Sequence, residues 1–557
     1  MFRFLFTLFF FLLFIDSYSQ QWEKAKKFNY TFPYSIYRHA SDVDGNIYIV
    51  GEIKDNSLEL DGLELTSKGN LDIFITKLDS NFSVLWAKSY GSDGEEMVTG
   101  ITLDKSGDIL LSGYFSKTII IGKDTLRSIG SSDFFLTKMD KYGNPIWSKS
   151  GGSKFQDYSY SRLGGIYTDD FDNIYVGGMF ANVESNDTLR TAWFDGLSAK
   201  SHGGQDVFAA KYSATGKIIW LKNFGSYRGD EGELYGNGKF LYLCGGSNWK
   251  FNYDSLVLKN PYGGSDIGYI LKMDLDGNVN WVNGAFLKDF GSMYSRSVTA
   301  DSLGNLYIVG MYYPISFNNR LLFDNFELEE IGGTDIFVAK LDKNGKVRWL
   351  KRGGGYGNDG PAKIITKSDN HFIITGSIAG GGFYESKTIA SNSGENTFIL
   401  EIDSNGGALV FEQCGNTGNN IGTDLSITED GKLLLIGDNR LGSLTFDSIV
   451  CQNTDKPASF YIARRNFVPK PVGISMLTVN KSFKIFPNPN NGSFTIELEN
   501  PEKDVTIEVF DVMGKLVKKV EQVGKVNLVD LEAASGIYLV KVKNGGTVYN
   551  QKMILTN

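Results

Sequence analysis

Two tripeptides of the same type precede predicted strands, and their residue types are suited to ligand binding. Tyr160-Ser161-Arg162 and Tyr294-Ser295-Arg296 match, and Tyr37-Arg38 is a near relative of both. An arginine guanidinium binds a carboxylate or phosphate through two parallel hydrogen bonds, and a tyrosine ring stacks on a sugar or a peptide. We therefore predict that these residues contact an extended polar ligand. The alternative is a structural role, in which tyrosine caps a sheet and arginine neutralises acidic loops.

Acidic side chains occupy neighbouring positions in the same loops. Asp157, Asp230 and Asp359 are therefore further ligand-binding candidates. The sequence contains no G-x-S-x-G, H-E-x-x-H or P-loop pattern, and these are the motifs that would indicate a nucleophile, a zinc centre or a nucleotide site. We predict a protein that is not an enzyme and that needs no cofactor.

Metal-binding patterns are weak as well. His39, His202 and His371 are far apart and lack the i, i+4 spacing of a helix-borne zinc site. The segment Asp42-Val43-Asp44-Gly45-Asn46 is similar to part of a calcium loop, but the glycine and final glutamate of an EF-hand are not at the required offsets. The sequence predicts no metal site and a plain hairpin turn here, with calcium as the open alternative.

An internal repeat supplies the elements that must position these residues. A phrase similar to GNIYIVG and a phrase similar to DIFVAKLD each occur seven times, in alternation. The first phrase lies at 45–51, 107–113, 172–178, 238–245, 304–310, 370–376 and 431–437, and the second at 72–79, 133–140, 206–213, 266–274, 335–342, 396–403 and 459–466. A tryptophan strand follows the second phrase at Trp86, Trp147, Trp220, Trp281 and Trp349, and Phe411 replaces tryptophan in the sixth repeat.

The seventh tryptophan strand is displaced to the other end of the chain. No such strand follows Asn466, but QWEKAKKF around Trp22 matches it, and the steps from Trp22 are 64, 61, 73, 61, 68 and 62 residues. Each repeat has about four short strands, and a linear stack of them would expose unpaired sheet edges. We therefore predict an all-β fold whose main domain, residues 20–467, is a seven-bladed β-propeller closed by the N-terminal strand.

The repeats resemble the SBBP family of propeller repeats and, more loosely, NHL repeats. This resemblance implies the propeller fold. It implies little about activity, because propellers support unrelated functions.

The start of the chain has the features of a secretory signal over residues 1–19. Arg3 precedes a run at 4–15 that is apolar except for Thr7, and Ser17 and Ser19 supply small residues before a cut at Gln20. No later segment is apolar enough to span a bilayer, so we expect no transmembrane segment in the mature chain.

Charge and cysteine content limit the partners. The formal net charge is −8 and no basic cluster stands out, so nucleic acid is excluded as an expected partner. Cys244, Cys414 and Cys451 are the three cysteines, too few for a disulfide framework. We expect isolated buried thiols and a monomer, with a Cys414–Cys451 disulfide left open.

The repeats stop after Asn466, and a different pattern follows. Residues 468–480 contain two prolines and predict a linker, and residues 481–557 predict a small Ig-like β-sandwich of six or seven strands.

This tail resembles the type A C-terminal sorting domain of the type IX secretion system of Bacteroidetes. The matching residues run in order through the domain and include Pro487, Asn488, Pro489, Gly514, Gly536, Tyr538 and Lys552. The resemblance implies Sec export, recognition by the type IX machinery, and delivery to the cell surface or the medium. An Ig-like domain that only packs against the propeller is the alternative.

Taken together, these features predict a secreted or surface-displayed β-propeller that binds a glycan or a surface protein. A structural or adhesive surface protein without a discrete ligand is one alternative. A polysaccharide-degrading enzyme on a propeller scaffold is the other. A ligand site is expected where the long connections emerge on one face of the propeller, because function concentrates in loops on a rigid scaffold.

Overall fold

The chain consists of strands and turns. The structure, a computed structural model, describes residues 22–30, 38–54, 57–157, 164–180, 191–248, 250–254, 256–263, 266–315, 319–390, 394–414, 419–440, 444–451, 458–467, 483–498, 501, 505–511, 515–520, 524–544 and 547–556. These residues contain no helix, which confirms the all-β class. In the same part of the chain no helix is long and apolar enough to cross a membrane. The predicted signal (1–19) and linker (468–480) lie outside the described residues.

By its contacts the chain divides into two units, Met1–Phe467 and Val468–Asn557. In the first unit the strands form seven antiparallel sheets with four core strands each. From first to fourth strand, sheet 1 has Arg38–Ser41, Ile47–Lys54, Leu71–Leu78 and Val84–Tyr90; sheet 2 has Glu96–Leu103, Ile109–Phe115, Asp133–Met139 and Pro145–Gly152; sheet 3 has Ile166–Thr168, Ile174–Phe180, Asp206–Tyr212 and Ile218–Phe224. Sheet 4 has Asp230–Gly236, Phe240–Asn248, Asp266–Asp274 and Val279–Leu287; sheet 5 has Gly291–Ala300, Leu306–Pro314, Asp335–Leu341 and Val347–Gly354; sheet 6 has Gly360–Ser368, His371–Ala379, Glu395–Ile402 and Ala408–Cys414; sheet 7 has Asn420–Ile427, Leu433–Asn439, Ala458–Arg465 and Trp22–Tyr30.

Sheet 7 combines the two ends of the repeat region. Trp22–Tyr30 pairs antiparallel with Ala458–Arg465, and Phe28 stands opposite Phe460. The two rings stack with centroids 4.8 Å apart. The N-terminal strand Trp22–Tyr30 is therefore the fourth strand of sheet 7, where the seventh repeat lacks a tryptophan strand of its own.

A short hairpin separates the second and third strands of every sheet. The seven hairpins are Ser57–Leu60 with Leu63–Thr66, Thr118–Ile121 with Asp124–Arg127, Thr191–Phe194 with Leu197–Lys200, Lys250–Tyr253 with Leu256–Lys259, Arg320–Phe323 with Phe326–Glu329, Gly382–Tyr384 with Lys387–Ile389, and Leu444–Phe446 with Ile449–Cys451. The hairpins of sheets 3, 5 and 6 pair with the fourth strand of the preceding sheet and extend it to six strands.

The seven sheets follow one another in a closed cycle. Each first strand contacts the first strand of the next sheet, and the first strands of sheets 7 and 1 also make contact. Apolar side chains fill the space between neighbouring sheets; Leu434 and Ile462 of sheet 7, for example, share a buried cluster with Ile47 and Phe74 of sheet 1. The core is therefore divided among the interfaces between sheets.

The turns repeat one hydrogen-bonding pattern, which accounts for the recurrent aspartates. In the turn between the first two strands of sheet 1, Asp42 Oδ1 accepts hydrogen bonds from the backbone N–H groups of Asp44 and Asn46, at 3.1 and 2.8 Å. The other carboxylate oxygen of Asp42 lies 3.2 Å from the Lys77 ammonium. Gly45 takes the positive φ of 78° that this turn requires.

All three cysteines, Cys244, Cys414 and Cys451, are buried free thiols. Burial raises the pKa of the Cys244 and Cys414 thiols well above its ordinary value, so these thiols are poor nucleophiles.

The second unit has two antiparallel sheets around one core. One sheet contains Phe483–Phe486, Ser493–Leu498 and Val526–Asp530, and the other contains Leu516–Val520, Val505–Phe510, Gly536–Asn544 and Thr547–Leu555. Phe494 and Ile496 of the first sheet share a buried cluster with Ile507, Val540 and Met553 of the second.

Candidate functional site

The two ends of the sheet cycle differ in their connections. At one end, here called the loop face, the fourth strand of each sheet connects to the first strand of the next. At the opposite end, here called the turn face, tight turns join the first strand to the second and the third strand to the fourth. The loop face is where the sequence predicts a ligand site.

Three aromatic side chains are exposed in consecutive connections of the loop face. Tyr227 lies between sheets 3 and 4, Phe290 between sheets 4 and 5, and Tyr356 between sheets 5 and 6. Their exposed fractions are 66%, 68% and 89%. Burying such rings on a partner removes apolar surface from water, so exposed aromatic rings in three consecutive connections are consistent with a contact surface.

Buried polar groups hold the backbone of these connections in place. The Ser226 N–H donates to Asp230 Oδ2 at 2.6 Å, and the Gly355 N–H donates to Asp359 Oδ2 at 2.6 Å. In the connection that carries Phe290, Asn319 takes this role: its amide donates to the Phe290 carbonyl at 3.0 Å. The rings are therefore displayed on connections with defined backbone geometry.

The candidate aspartates lie in or at the end of connections of the loop face, with their side chains buried. Asp157, Asp230 and Asp359 have exposed fractions of only 0%, 2% and 2%. Asp157 follows the same pattern as the other two, because it accepts the Ser153 N–H at 2.5 Å. The structure thus gives the three carboxyl groups a role in positioning the loops.

Each of these aspartates faces a second buried acid from the preceding sheet. The three pairs are Asp133 with Asp157, Asp206 with Asp230, and Asp335 with Asp359. Asp72 with Glu96 is a fourth pair of buried acids at the corresponding position between sheets 1 and 2. In the three aspartate pairs one glycine lies beside both members; a Cβ on Gly225, for example, would lie 2.6 Å from Asp206 Oδ1 and 2.9 Å from Asp230 Oδ2.

Several of these acids have raised pKa values because burial penalises their charged forms. Burial raises the pKa of Glu96 to about 8, with Asp72 adding to the effect. Burial raises the pKa of Asp335 and of Asp359 to about 6. For Asp230 burial, together with the charge of Asp206, raises the pKa well above its ordinary value. The corresponding position between sheets 6 and 7 has the amides of Asn396 and Asn420, both buried.

The predicted tyrosine–arginine ring is described in part. Arg296 makes an ion pair with Glu231 at 3.0 Å, and its guanidinium lies 4.9 Å from the Tyr294 ring centroid. This pairing is the one expected if arginine neutralises an acidic neighbour. Tyr37, Tyr160 and Arg162 lie outside the described residues.

Arg38 enters a cavity on the axis of the sheet cycle. The cavity has a volume of about 230 Å³ and is lined by the first strands of sheets 1, 2, 3, 4, 6 and 7. Arg38 from sheet 1 lies 3.8 Å from Glu233 of sheet 4. The Lys363 ammonium from sheet 6 lies 4.6 Å from the Tyr235 ring centroid. The axis therefore holds charged groups that come from sheets far apart in sequence.

A buried contact between a histidine and an aspartate borders this cavity. His39 Nδ1 lies 2.9 Å from Asp424 Oδ2, and His39 Nε2 lies 2.6 Å from the Ser426 hydroxyl. Burial alone would raise the pKa of Asp424, but His39, Lys363 and Arg38 hold it well below its usual range. Burial would lower the pKa of Arg38, but the carboxylates of Glu233 and Asp424 raise it above its ordinary value.

The histidines do not converge. His202 Nδ1 lies 2.7 Å from Asp206 and His371 Nε2 lies 2.5 Å from Glu401, each in a different sheet from His39. Within the described ranges no group of three or more histidine, cysteine, aspartate or glutamate residues is arranged to hold a metal ion.

In the second unit, hydrogen bonds join the motif residues near the start of the domain to its last strand. Asn488 Nδ2 donates to the Lys552 carbonyl at 2.9 Å, and Asn488 Oδ1 accepts the Ile554 N–H at 2.8 Å. The Tyr538 hydroxyl donates to the Ala534 carbonyl at 2.6 Å, just before Gly536. Pro487 and Pro489 flank Asn488, and Gly514 lies outside the described residues.

Comparison with known proteins defines this second unit. Residues 484–556 match the family model of the secretion system C-terminal sorting domain. The chain thus carries a type IX sorting domain at its C-terminus, which implies export to the cell surface or the extracellular space.

The chain also has distant curated relatives. It is 21% identical over 301 residues to an uncharacterized WD repeat-containing protein of Acanthamoeba polyphaga mimivirus, covering 50% of this chain and 17% of that protein. It is 20% identical over 432 residues to the regulatory protein FlaEY of Caulobacter vibrioides, covering 71% of this chain and 42% of that protein. The chain thus spans less than half the length of these curated relatives.

A solved structure of PorZ, a surface component of the type IX secretion system of Porphyromonas gingivalis, aligns with 96% of this chain and 100% of its own, at 12% identity and a TM-score of 0.17. At that score, neither fold nor function is inferred from the alignment.

Proposed function

We propose that this protein is a secreted or cell-surface seven-bladed β-propeller that binds an extended polar ligand, a glycan or a surface protein, on its loop face. The sorting domain supports the location. The closed cycle of seven four-stranded sheets supports the blade count, because radial repetition leaves only short, protected edges. The two packed sheets of the second unit support an Ig-like sandwich.

The observation that carries the binding proposal is the exposure of Tyr227, Phe290 and Tyr356 in three consecutive connections. Flat rings stack on the apolar faces of sugars or on extended peptides. A ring whose loop backbone is already held in place loses less conformational entropy when it binds. The exposed Arg228 beside Tyr227 adds a donor for carboxylate or hydroxyl groups.

No catalytic role is proposed for this face. The buried acids beneath it are covered by backbone, and their hydrogen bonds go to the N–H groups of their own loops. A general acid or base needs hydrogen-bonding access to its substrate. Incubation with polysaccharides should therefore leave their chain length unchanged.

The test is binding of the full chain to a glycan array and to solubilised surface proteins. We expect wild-type protein to retain at least one ligand, and the triple variant Tyr227→Ala, Phe290→Ala and Tyr356→Ala to lose it. The matched control is Phe171→Ala with Tyr142→Ala, which removes rings of 83% and 60% exposure from the turn face.

Equal binding by the loop-face triple variant and the wild type would overturn the proposed face. Loss of binding in the turn-face control alone would place the ligand at the other end. A chain that binds nothing in either assay would favour a structural or adhesive role.

A further inference from the structure

The axial cavity contains charged groups whose hydrogen-bonding capacity is not used by the protein. Among the described residues the Arg38 guanidinium makes no hydrogen bond, and its nearest carboxylate is that of Glu233 at 3.8 Å. A guanidinium has five N–H donors in a planar fork. Arg38 is nevertheless largely enclosed, with a side-chain exposed fraction of 14%. Its donors are therefore directed to the cavity without a protein acceptor in reach.

Lys363 is in the same situation. Within the part of the chain that the structure describes, its ammonium makes neither a hydrogen bond nor an ion pair, and its contact is the Tyr235 ring at 4.6 Å. An aromatic face attracts a cation but accepts none of its three N–H donors in a strong hydrogen bond. Arg38 and Lys363 come from sheets 1 and 6, and both line the cavity.

The neighbouring carboxylates do not balance these donors. The carboxylate oxygens of Asp424 already accept three hydrogen bonds, from the His39 ring N–H, the His39 backbone N–H and the Leu425 backbone N–H. Glu233 is the remaining carboxylate of the cavity, and it faces Arg38 alone. Two cationic groups with open N–H donors therefore face one carboxylate with open acceptor positions, so the donors outnumber the acceptors in this partly enclosed space.

The size of the cavity restricts the ligand. The cavity volume of about 230 Å³ is more than ten times the roughly 10–15 Å³ that one water molecule needs. This space accommodates a small organic anion but not a polymer chain. Glu233 adds an acceptor, which favours a ligand with hydroxyl groups.

We propose that the axial cavity binds a small hydroxylated anion, whose carboxylate or phosphate group is bound by Arg38 and Lys363 and whose hydroxyl donates to Glu233. The site is separate from the exposed rings of the loop face and does not depend on the function proposed for them.

The experiment is isothermal titration of the full chain with three probes: D-glucuronate, inorganic phosphate and uncharged D-glucose. We expect one-to-one binding of glucuronate or phosphate and none of glucose, and the anion that binds identifies the chemical group. Lys363→Met should weaken that binding by about tenfold or more. Lys343→Met, at an exposed turn position of sheet 5, is the matched control and should bind as the wild type does.

Several results would overturn the proposal: no heat with either anion, equal affinity for glucose, or unchanged binding in Lys363→Met. If Lys363→Met does not fold by circular dichroism, Lys363→Gln and Arg38→Gln provide the same test. The loop-face triple variant should bind the anion with wild-type affinity, so failure of one proposal is distinguishable from failure of the other.

Discussion

The indole ring of Trp281 lies directly on Gly345, the turn glycine of the next sheet. A Cβ on Gly345 would be 2.7 Å from Trp281 Cδ2, and the Trp281 Nε1–H donates to the Lys343 carbonyl of the same turn at 3.1 Å. The same contact of ring with glycine joins Trp86 to Gly143, Trp147 to Gly216, Trp220 to Gly277, and Trp349 to Gly406. The repeated tryptophan and the repeated turn glycine are thus the two halves of one contact between sheets.

This contact predicts that Gly345→Ala destabilises the protein through two effects. Gly345 has a φ of 85°, which is unfavourable for alanine, and the new methyl group would collide with the indole. We expect a loss of about 2–4 kcal/mol in the free energy of unfolding, measured by denaturant titration.

The matched control for this prediction is Gly107→Ala. Gly107 has a similar φ of 78°, but no atom lies within 4 Å of its Cβ position. Gly107→Ala should lower the free energy of unfolding only through its backbone conformation, by about 1 kcal/mol. Equal losses in the two variants would show that the indole contact contributes nothing.

The buried acid pairs predict that stability falls as the pH rises. Asp335 and Asp359 have folded-state pKa values of about 6, because burial penalises their charged forms. An unfolded aspartate has a pKa of about 3.9. Because the folded state holds the protons more tightly, this contribution is complete below about pH 4 and is lost as the pH rises through about 6.

Asp335→Asn tests this relationship. Asp335 Oδ2 accepts the Ile331 N–H at 2.8 Å, while Oδ1 has no hydrogen-bond partner among the described groups. An asparagine therefore keeps the first bond and presents an N–H donor to Asp359, with Arg352 as the nearest cation. We expect the variant to be more stable than the wild type by about 1–2 kcal/mol at pH 7.5.

The measurement is the free energy of unfolding at pH 5.0 and 7.5. Asp335→Asn should reduce the difference between the two pH values. Asp170→Asn is the control, because that side chain is 85% exposed. A wild-type protein that is more stable at pH 7.5 than at 5.0, with no change in Asp335→Asn, would contradict the prediction.

Sequence periodicity was sufficient to predict the strands of the sheets but not the contacts between neighbouring sheets. The copies of GNIYIVG and DIFVAKLD locate the second and third strands, because the apolar residues of each phrase follow a pattern that fits a single strand. The position of Trp22 predicts the pairing with Ala458–Arg465, because a missing strand at one end matches an extra one at the other. Trp281 and Gly345 lie 64 positions apart in the sequence and belong to neighbouring sheets, so no local pattern indicates their contact.

The candidate site was less accessible to sequence reasoning. Asp230 and Asp359 are acidic loop residues, and only the fold reveals that they are buried beneath backbone. Tyr227 and Tyr356 each stand three positions before those aspartates. Alignment of the loops on the aspartates would therefore have found them. Glu233 and Lys363 line the same axial cavity although they belong to different repeats, and neither has a distinguishing neighbour in sequence.

The N-terminal strand is expected to stabilise the whole cycle. Phe28 is 3% exposed and stacks on Phe460. Phe28→Ala should therefore cost about 3–5 kcal/mol and lower the melting temperature. The control Leu85→Ala removes a side chain that is 52% exposed and should change stability by less than about 1 kcal/mol. Equal melting temperatures for the two variants would indicate that the strand is dispensable.

The sorting domain predicts an effect on location rather than on folding of the sheet cycle. Deletion of residues 481–557 should leave the cycle folded and trap it in the periplasm, because the two units have separate cores. Cell fractionation with a proteinase-accessibility assay measures this. Surface delivery of the truncated chain at the normal level would refute the role of the domain.

A single substitution tests the same domain more finely. Asn488 joins its start to its last strand through hydrogen bonds to the Lys552 carbonyl and the Ile554 N–H. Asn488→Ala leaves both backbone groups without these partners, at a cost of about 1–2 kcal/mol. If the machinery recognises the joined ends, surface delivery should fall in Asn488→Ala and remain normal in Asn491→Ala, an exposed position three residues further along. Normal delivery in both variants would mean that recognition depends on another part of the domain.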